Sequence, residues 1–263
     1  MNLSNPNETK EEKRARKQLE RTAKEIIVPI DARVTVLCVR FGGRYGRDYV
    51  ERLRNMVSRH LTIPYEFVCL TDDPTPIEGV RSIVQASAGY ARGWWHKVHM
   101  FDPALEVQGR ILYFDLDVVI HSNIDKLAVY LSNEFVGIHD FNRAFHANWI
   151  NLNSSVMAWN HGAQTHIWDQ FKVNPREAQK LPGDQDWIWK TSRDRIRFWP
   201  KEWIQSYKWE VRGREQLTLI DGKRRFKEVD HSVEVHPDCA VTVFHGDPKP
   251  QDVYDKFVVD NWR

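Results

Sequence analysis

The chain has 263 residues, enough for one large domain or two small ones at roughly 150 residues per domain. Lys plus Arg number 38 against 36 Asp plus Glu, a net +2 that makes no case for a polyanionic partner by itself, and 41% hydrophobic with 28% charged residues is globular rather than disordered composition. No apolar run approaches the roughly 18–20 residues of a membrane span, the polar residues 1–24 do not read as a secretory leader, and Cys38, Cys69 and Cys239 each sit in an apolar run rather than a disulfide framework, so the expectation is a soluble, cytoplasmic protein.

Residues 8–25 are dense in charge of both signs, with Ala15, Leu19, Ala23 and Ile26 at near-helical spacing. They predict a surface helix, and the alternating signs argue against a basic arm. From residue 34 the pattern changes. Residues 34–39 are a short β-branched run that predicts a buried strand, and residues 41–46 a glycine-rich turn. Residues 47–60 carry Tyr49, Val50, Leu53, Met56 and Val57 at helical spacing, and Pro64 ends the pattern. Strands are predicted at 67–70, 80–84 and 110–114, with a helix at 94–101. This alternation predicts an α/β fold, a mainly parallel central sheet with helices on both faces. In such sheets ligands bind beyond the carboxyl ends of the strands. The second half is less regular, with strands at 135–138, 154–159, 217–220 and 240–244 and short helices at 163–171 and 185–191. No repeat or low-complexity linker divides it, so residues 34–263 read as one domain behind a charged arm of residues 1–33.

The most informative segment is Ile111-Leu-Tyr-Phe-Asp-Leu-Asp117, an apolar strand that delivers two carboxylates two residues apart. Strand alternation would put Asp115 and Asp117 on one side. Two such charges suit a divalent metal with positions left open for phosphate oxygens, although two solvated acids in a turn would look the same. A second strand, 241–244, ends in His245-Gly-Asp-Pro-Lys249. Imidazole beside carboxylates suits Mn²⁺ better than Mg²⁺, and Lys249 could neutralise a phosphate. Asn153-Ser-Ser155 brings small polar side chains fit for sugar hydroxyls. Gly183-Asp-Gln-Asp186 puts acids and an amide at a helix start, where helix capping is the simpler explanation.

In this order the four segments resemble the nucleotide-sugar glycosyltransferases of the GT-A fold. They are most similar to the retaining group that includes glycogenin and the lipopolysaccharide galactosyltransferases, with its short bacterial and viral relatives. The resemblance covers about residues 34–250, and implies a nucleotide-binding half, residues 34–120, and an acceptor half, residues 121–263. It implies that Asp115 and Asp117, with His245 as third ligand, bind Mn²⁺ (or Mg²⁺) and the donor diphosphate. Lys249 would lie at the diphosphate, Asn153 and Ser154 at the donor sugar, and Lys97 would reach the donor. Asp184 would hold sugar hydroxyls and Gln185 lie near the anomeric carbon. Cys38 and Arg40 would lie by the nucleoside, and Asp72 by its base or ribose. The implied donor is a UDP-sugar and the implied chemistry transfer with retention. Ser155 stands where the family usually has Gly, and Gln251 where it has Trp, so the sugar pocket departs from the pattern.

Two acceptors remain open, a hydroxyl of a glycan or other small molecule and a hydroxymethylated DNA base. The second draws on Arg212, Arg214, Lys223, Arg224, Arg225 and Lys227, and on eight of the eleven tryptophans falling between residues 149 and 209. Trp199, Trp203 and Trp209, in polar stretches, are the predicted stacking surface. Two other readings compete. Asp115-Leu-Asp-Val-Val119 fits the first motif of a haloacid-dehalogenase-like phosphatase with Asp115 as nucleophile, although three strands precede it. A non-enzymatic nucleic-acid-binding module would use the aromatics but leave the acids without a task.

Overall fold

The computed structural model describes residues 33–86, 93–146, 148–212, 214–220, 223–228 and 233–263, the side chains of 214–228 excepted. The predicted helix at 8–25 lies outside the described residues.

Strands β1 (Val34–Arg40), β2 (Tyr65–Thr71), β3 (Arg81–Val84) and β4 (Arg110–Phe114) pair in parallel. They are joined by α1 (Arg47–His60) and by a 3₁₀ helix, Gly93–Phe101. After β5 (Val118–Ile120) and α2 (Asp125–Val129) come β6 (Phe135–His139) and β7 (Leu152–Asn160). Helices α3 (Thr165–Val173), α4 (Pro175–Ala178) and α5 (Asp184–Ser192) then lead to β8 (Ile196–Phe198). The central sheet has the order β3-β2-β1-β4-β7-β6-β8. Its pairings with β7 are antiparallel and the other four parallel, so β7 alone runs against the rest.

Both faces of the sheet are covered, which is why β1 and β4 read as continuous apolar runs. Val36, Cys38, Leu112 and Phe114 pack beneath Val50, Leu53, Met56 and Val57 of α1. The alternate residues Leu37, Ile111 and Tyr113 face the other way, onto Trp95, Val98 and Phe101, Phe171 of α3 and Ile188 of α5. Each such large side chain, fully enclosed, contributes about 1.5–3 kcal/mol. The predicted helix at 94–101 is the 3₁₀ segment. Trp95 through Phe101 are all buried, so it has no solvent-facing stripe and is wound tightly between the sheet and α3.

The second half folds back through a small sheet. β9 (Ile204–Ser206) and β12 (Val241–Val243) pair in parallel, and β12 pairs antiparallel with β5. A π-helical turn, Tyr207–Val211, leads to the hairpin β10 (Arg214–Ile220) and β11 (Lys223–Glu228). Its register sets Arg214 opposite Glu228 and Glu215 opposite Lys227. α6 (Lys256–Asn261) closes the chain. Strands β8 and β9 and helices α2, α4 and α6 are not among the predicted elements.

Candidate active site

A cavity of about 390 Å³ opens at the carboxyl end of β1 and β4. It is lined by Arg40, Lys97, Asp115, Asp117, Asn153, Ser154, Asp184, Gln185, His245 and Lys249. Residues from all four sequence motifs therefore meet in one concave site of ordinary ligand-binding size.

Local packing brings the acids there. β4 ends at Phe114, and residues 115–117 turn rather than continuing as an extended strand. Leu116 is driven into the core, 2% exposed, and Asp115 and Asp117 on either side of it line the cavity. The alternation expected from an extended strand is thus replaced by a turn anchored at its centre. The Asp115 N–H donates to Ser155 O at 2.7 Å, which ties the turn to β7. The Phe244 N–H donates to Asp117 O at 3.0 Å, which brings the strand before His245 alongside. Gly246, at φ 70°, turns the chain immediately afterwards, and a Cβ there would stand 2.7 Å from Lys208 Nζ.

The two carboxylates have separate cations. Lys97 Nζ lies 2.8 Å from Asp115 Oδ1 and 3.3 Å from Asp184 Oδ2. It also donates to Ser154 Oγ and Ser154 O, at 3.0 and 3.2 Å. Burial pushes the lysine pKa down, but Asp115 and Asp184 outweigh it and the pKa ends above the ordinary value, so Lys97 stays charged. Burial raises the Asp184 pKa, with Lys97 opposing and the Asp115 charge adding to the rise. Lys249 Nζ lies 2.5 Å from Asp117 Oδ2, which also accepts from the Tyr45 hydroxyl at 2.9 Å. Burial, then Asp115, raises the Asp117 pKa, with Lys249 opposing.

His245 is held by Ser206 Oγ at 2.7 Å, stacks on Phe141 at 5.1 Å and meets the Trp209 ring edge-on at 4.5 Å. Burial, then Lys208 and Lys249, pulls its pKa down to about 3, so the ring is neutral, the form that binds metals. Asp115, Asp117 and His245 share the cavity, yet among the described residues no three His, Cys, Asp or Glu side chains stand grouped as a ready-made metal cluster. Their donor chemistry fits a divalent cation. One oxygen of each carboxylate, Asp115 Oδ2 and Asp117 Oδ1, accepts no hydrogen bond from the described residues.

Gly183 is the N-cap of α5, and Asp184 and Asp186 occupy its first turn. Gly183 makes no side-chain cap hydrogen bond, so the acids lie within the first turn rather than capping it, and Asp184 points into the cavity because the helix starts at its wall. Gln185 Oε1 accepts from Ser154 N at 3.3 Å, and its amide nitrogen donates to Asp140 Oδ2 at 3.5 Å. Asn153 lines the cavity and accepts from Ser155 N at 3.1 Å. Arg40 is at the rim, paired with Asp73 at 3.0 Å and donating to Tyr45 O.

Two expected donor residues lie elsewhere. The Cys38 side chain is fully enclosed in the core and does not line the cavity, because alternation along β1 turns it toward α1. Asp72 also lies outside the lining and accepts from Gly42 N, so it pins the loop that carries Tyr45. The predicted stacking surface is corrected as well. Trp199 is buried, Trp203 packs edge-on against Tyr130, and Trp209 packs on His245 and Phe145. Sequence reasoning missed Tyr45, Trp94 and Asp140; Tyr45 stood in a segment read only as a turn.

No protein-family model matches the chain, and none of the curated proteins does. Solved structures do. The WbbM bifunctional glycosyltransferase in its apo form aligns over 90% of this chain and 50% of its own, with a TM-score of 0.58 and 14% identity. The glycosyltransferase GlyE of Streptococcus pneumoniae TIGR4 aligns over 65% of this chain and 46% of its own, with a TM-score of 0.50 and 15% identity. The chain spans about half the length of these structures. The likeness is one of architecture, and it defines the class: the protein has a GT-A-like glycosyltransferase fold.

Proposed function

We propose that the protein is a metal-dependent glycosyltransferase that moves a sugar from a nucleoside-diphosphate donor, a UDP-sugar, to an acceptor hydroxyl with retention. One observation carries this reading: residues 115–117, 153–155, 184–185, 245–246 and 249, distant in sequence, line one cavity at the carboxyl ends of the strands. Strand-end acids able to hold a divalent cation, with lysines beside them, suit a departing diphosphate. The architecture shared with glycosyltransferases supports the same reading, and gives none to the phosphatase alternative.

Asp115, Asp117 and His245 would hold Mn²⁺ (or Mg²⁺). That ion supplies Lewis-acid stabilisation of the leaving diphosphate. Both lysines are already paired with acids, so a diphosphate entering alone would face two carboxylates with no cation of its own. Lys249 is the N-cap of the short 3₁₀ helix Pro250–Asp252, and its ammonium meets the phosphate charge as it develops. Asp184 and Ser154 accept and donate hydrogen bonds to the hydroxyls of the transferred sugar, with Lys97 fixing both. Gln185, held between Ser154 N and Asp140, presents its amide beside the anomeric carbon.

The test is release of UDP from UDP-sugars with Mn²⁺ and with excess chelator, followed by NMR of the product's anomeric centre. Asp115→Asn and Asp117→Asn are expected to abolish turnover while both variants remain folded. Full turnover in chelator sinks the metal assignment, and an inverted product sinks retention. Calorimetry with UDP, GDP, CDP and ADP checks the base, with tightest binding to UDP expected.

A further inference from the structure

All eleven tryptophans lie in described residues, and only Trp94 and Trp149 are exposed, at 54% and 40%. They differ in place. Trp94 lines the cavity itself. Trp149 stands outside it, but its indole N–H donates to Asp140 Oδ1 at 2.9 Å, and Asp140 Oδ2 accepts from the Gln185 amide. Asp140 is buried, 6% exposed, and also accepts from the Asn142 backbone and side chain.

An exposed indole is ordinarily left to move. This one is fixed at its only donor by a buried carboxylate, and its backbone is fixed too, since Trp149 N donates to His146 O and His139 bonds Trp149 O. The segment before it is clamped by Arg143, which pairs with Glu210 at 2.9 Å and donates to His139 O and Ile204 O. The result is a rigid aromatic face beside Gln185, with Ile150 exposed next to it at 65%. Rigid aromatic faces bind flat partners, a sugar ring through its C–H groups or a nucleobase through its π face.

The charge nearby separates those partners. Asp140 is buried and engaged by Trp149, Asn142 and Gln185, and Asp184 by Lys97, so the half-buried Asp186 is the acid left open on this side, while Arg143 is spent on Glu210. A phosphate backbone would gain nothing from Arg143 here and would meet Asp186, whereas a neutral polyol offers that carboxylate hydroxyl donors. We propose that Trp149 is the stacking platform for a sugar ring of the acceptor, so that the acceptor is a carbohydrate. This rests on the glycosyltransferase reading above and names its acceptor class.

The test compares wild type, Trp149→Ala and Trp149→Phe in the full chain. UDP release is measured from UDP-glucose and UDP-galactose with water alone, with a panel of nitrophenyl glycosides and oligosaccharides, and with hydroxymethylated DNA. The expected result is transfer to saccharides, with acceptor KM raised about tenfold or more in Trp149→Ala and donor hydrolysis unchanged. Trp149→Phe also lacks the N–H to Asp140 but keeps a ring. Recovery of most of the acceptor affinity in it supports stacking, and equal loss in both variants overturns it in favour of a tethering role. Unchanged acceptor KM in Trp149→Ala, or transfer to DNA in place of saccharides, also overturns the proposal. So does donor hydrolysis with no saccharide accepted. If wild type hydrolyses no UDP-sugar at all, the glycosyltransferase reading itself fails and takes this one with it, an outcome distinct from a change confined to the acceptor.

Discussion

Lys97 and Lys249 each pair with one carboxylate of the Asp115–Asp117 turn, yet they are embedded differently. Lys97 sits on the buried 3₁₀ helix, with four acceptors around its ammonium drawn from β7, α5 and the turn. Lys249 sits in a loop, with two acceptors, Asp117 Oδ2 and Phe244 O, and the Tyr45 ring 5.8 Å away. The first is a structural cation that also serves the site. The second is a site cation with a smaller structural load, since its own backbone N–H is satisfied by Asp252 at 2.9 Å and the turn holds without the side chain. Two lysines placed by sequence in similar roles are thus separated by what surrounds them.

The largest expected effect breaks the buried side of this pair. Lys97→Met leaves Asp184 and Asp115 without their cation, and loss of one partner from a buried pair costs about 3–5 kcal/mol. Chemical denaturation should show that loss, and a variant as stable as wild type would remove the distinction between the two lysines. The alkaline limb sharpens it. A lysine whose folded pKa is raised contributes stability that is complete below about 10.4 and is lost as pH rises through its folded value. Wild type should therefore lose stability above about pH 10.4 more steeply than Lys97→Met. Tyr45 and Tyr113, whose pKa values burial raises, remain in both proteins and cancel in the difference. Lys249→Met should cost stability about 1–3 kcal/mol, the price of one charged hydrogen-bond partner, while lowering turnover at least about 100-fold. Equal destabilisation by the two methionine variants would refute the comparison. The smallest change is Tyr45→Phe, which removes one hydrogen bond to Asp117 and should cost about 1 kcal/mol without touching the Lys97 side.

Much of the fold was legible because its parts are driven by apolar pattern. The helix at 47–60 and the strand at 110–114 have the predicted bounds, since each is a run of core-facing residues with a clear stop. Strands β8 and β9 are three residues long and owe their form to neighbours rather than to their own composition, so no local signal marks them. The cavity residues were legible as strand-end polar clusters, but their pairing was not. Lys249 and Asp117 are 132 positions apart, and nothing in either segment states that one lysine answers one acid. The tryptophans show the opposite failure. Trp199 and Trp203 looked exposed because polar residues flank them, yet tertiary packing covers them, whereas Trp149 is left outside because its nitrogen is fixed from below.

The reversed strand β7 has a consequence for how such a site can diversify. Because β7 runs against β4, the chain enters β7 at the edge where β4 leaves, and Asp115 N bonds Ser155 O across that junction. The segment that feeds β7, residues 140–151, therefore ends beside the reaction centre while belonging to neither ladder. Asp140, Phe141 and Arg143 tie its start to Gln185, His245 and Glu210, so the room for change lies between Arg143 and Leu152, away from the register that holds Asp115 against Ser155. On the proposed function, choice of acceptor would then rest on the short stretch that carries Trp149, and handling of the donor on the sheet ends and the residues that brace them, so the two could change at different rates in one polypeptide.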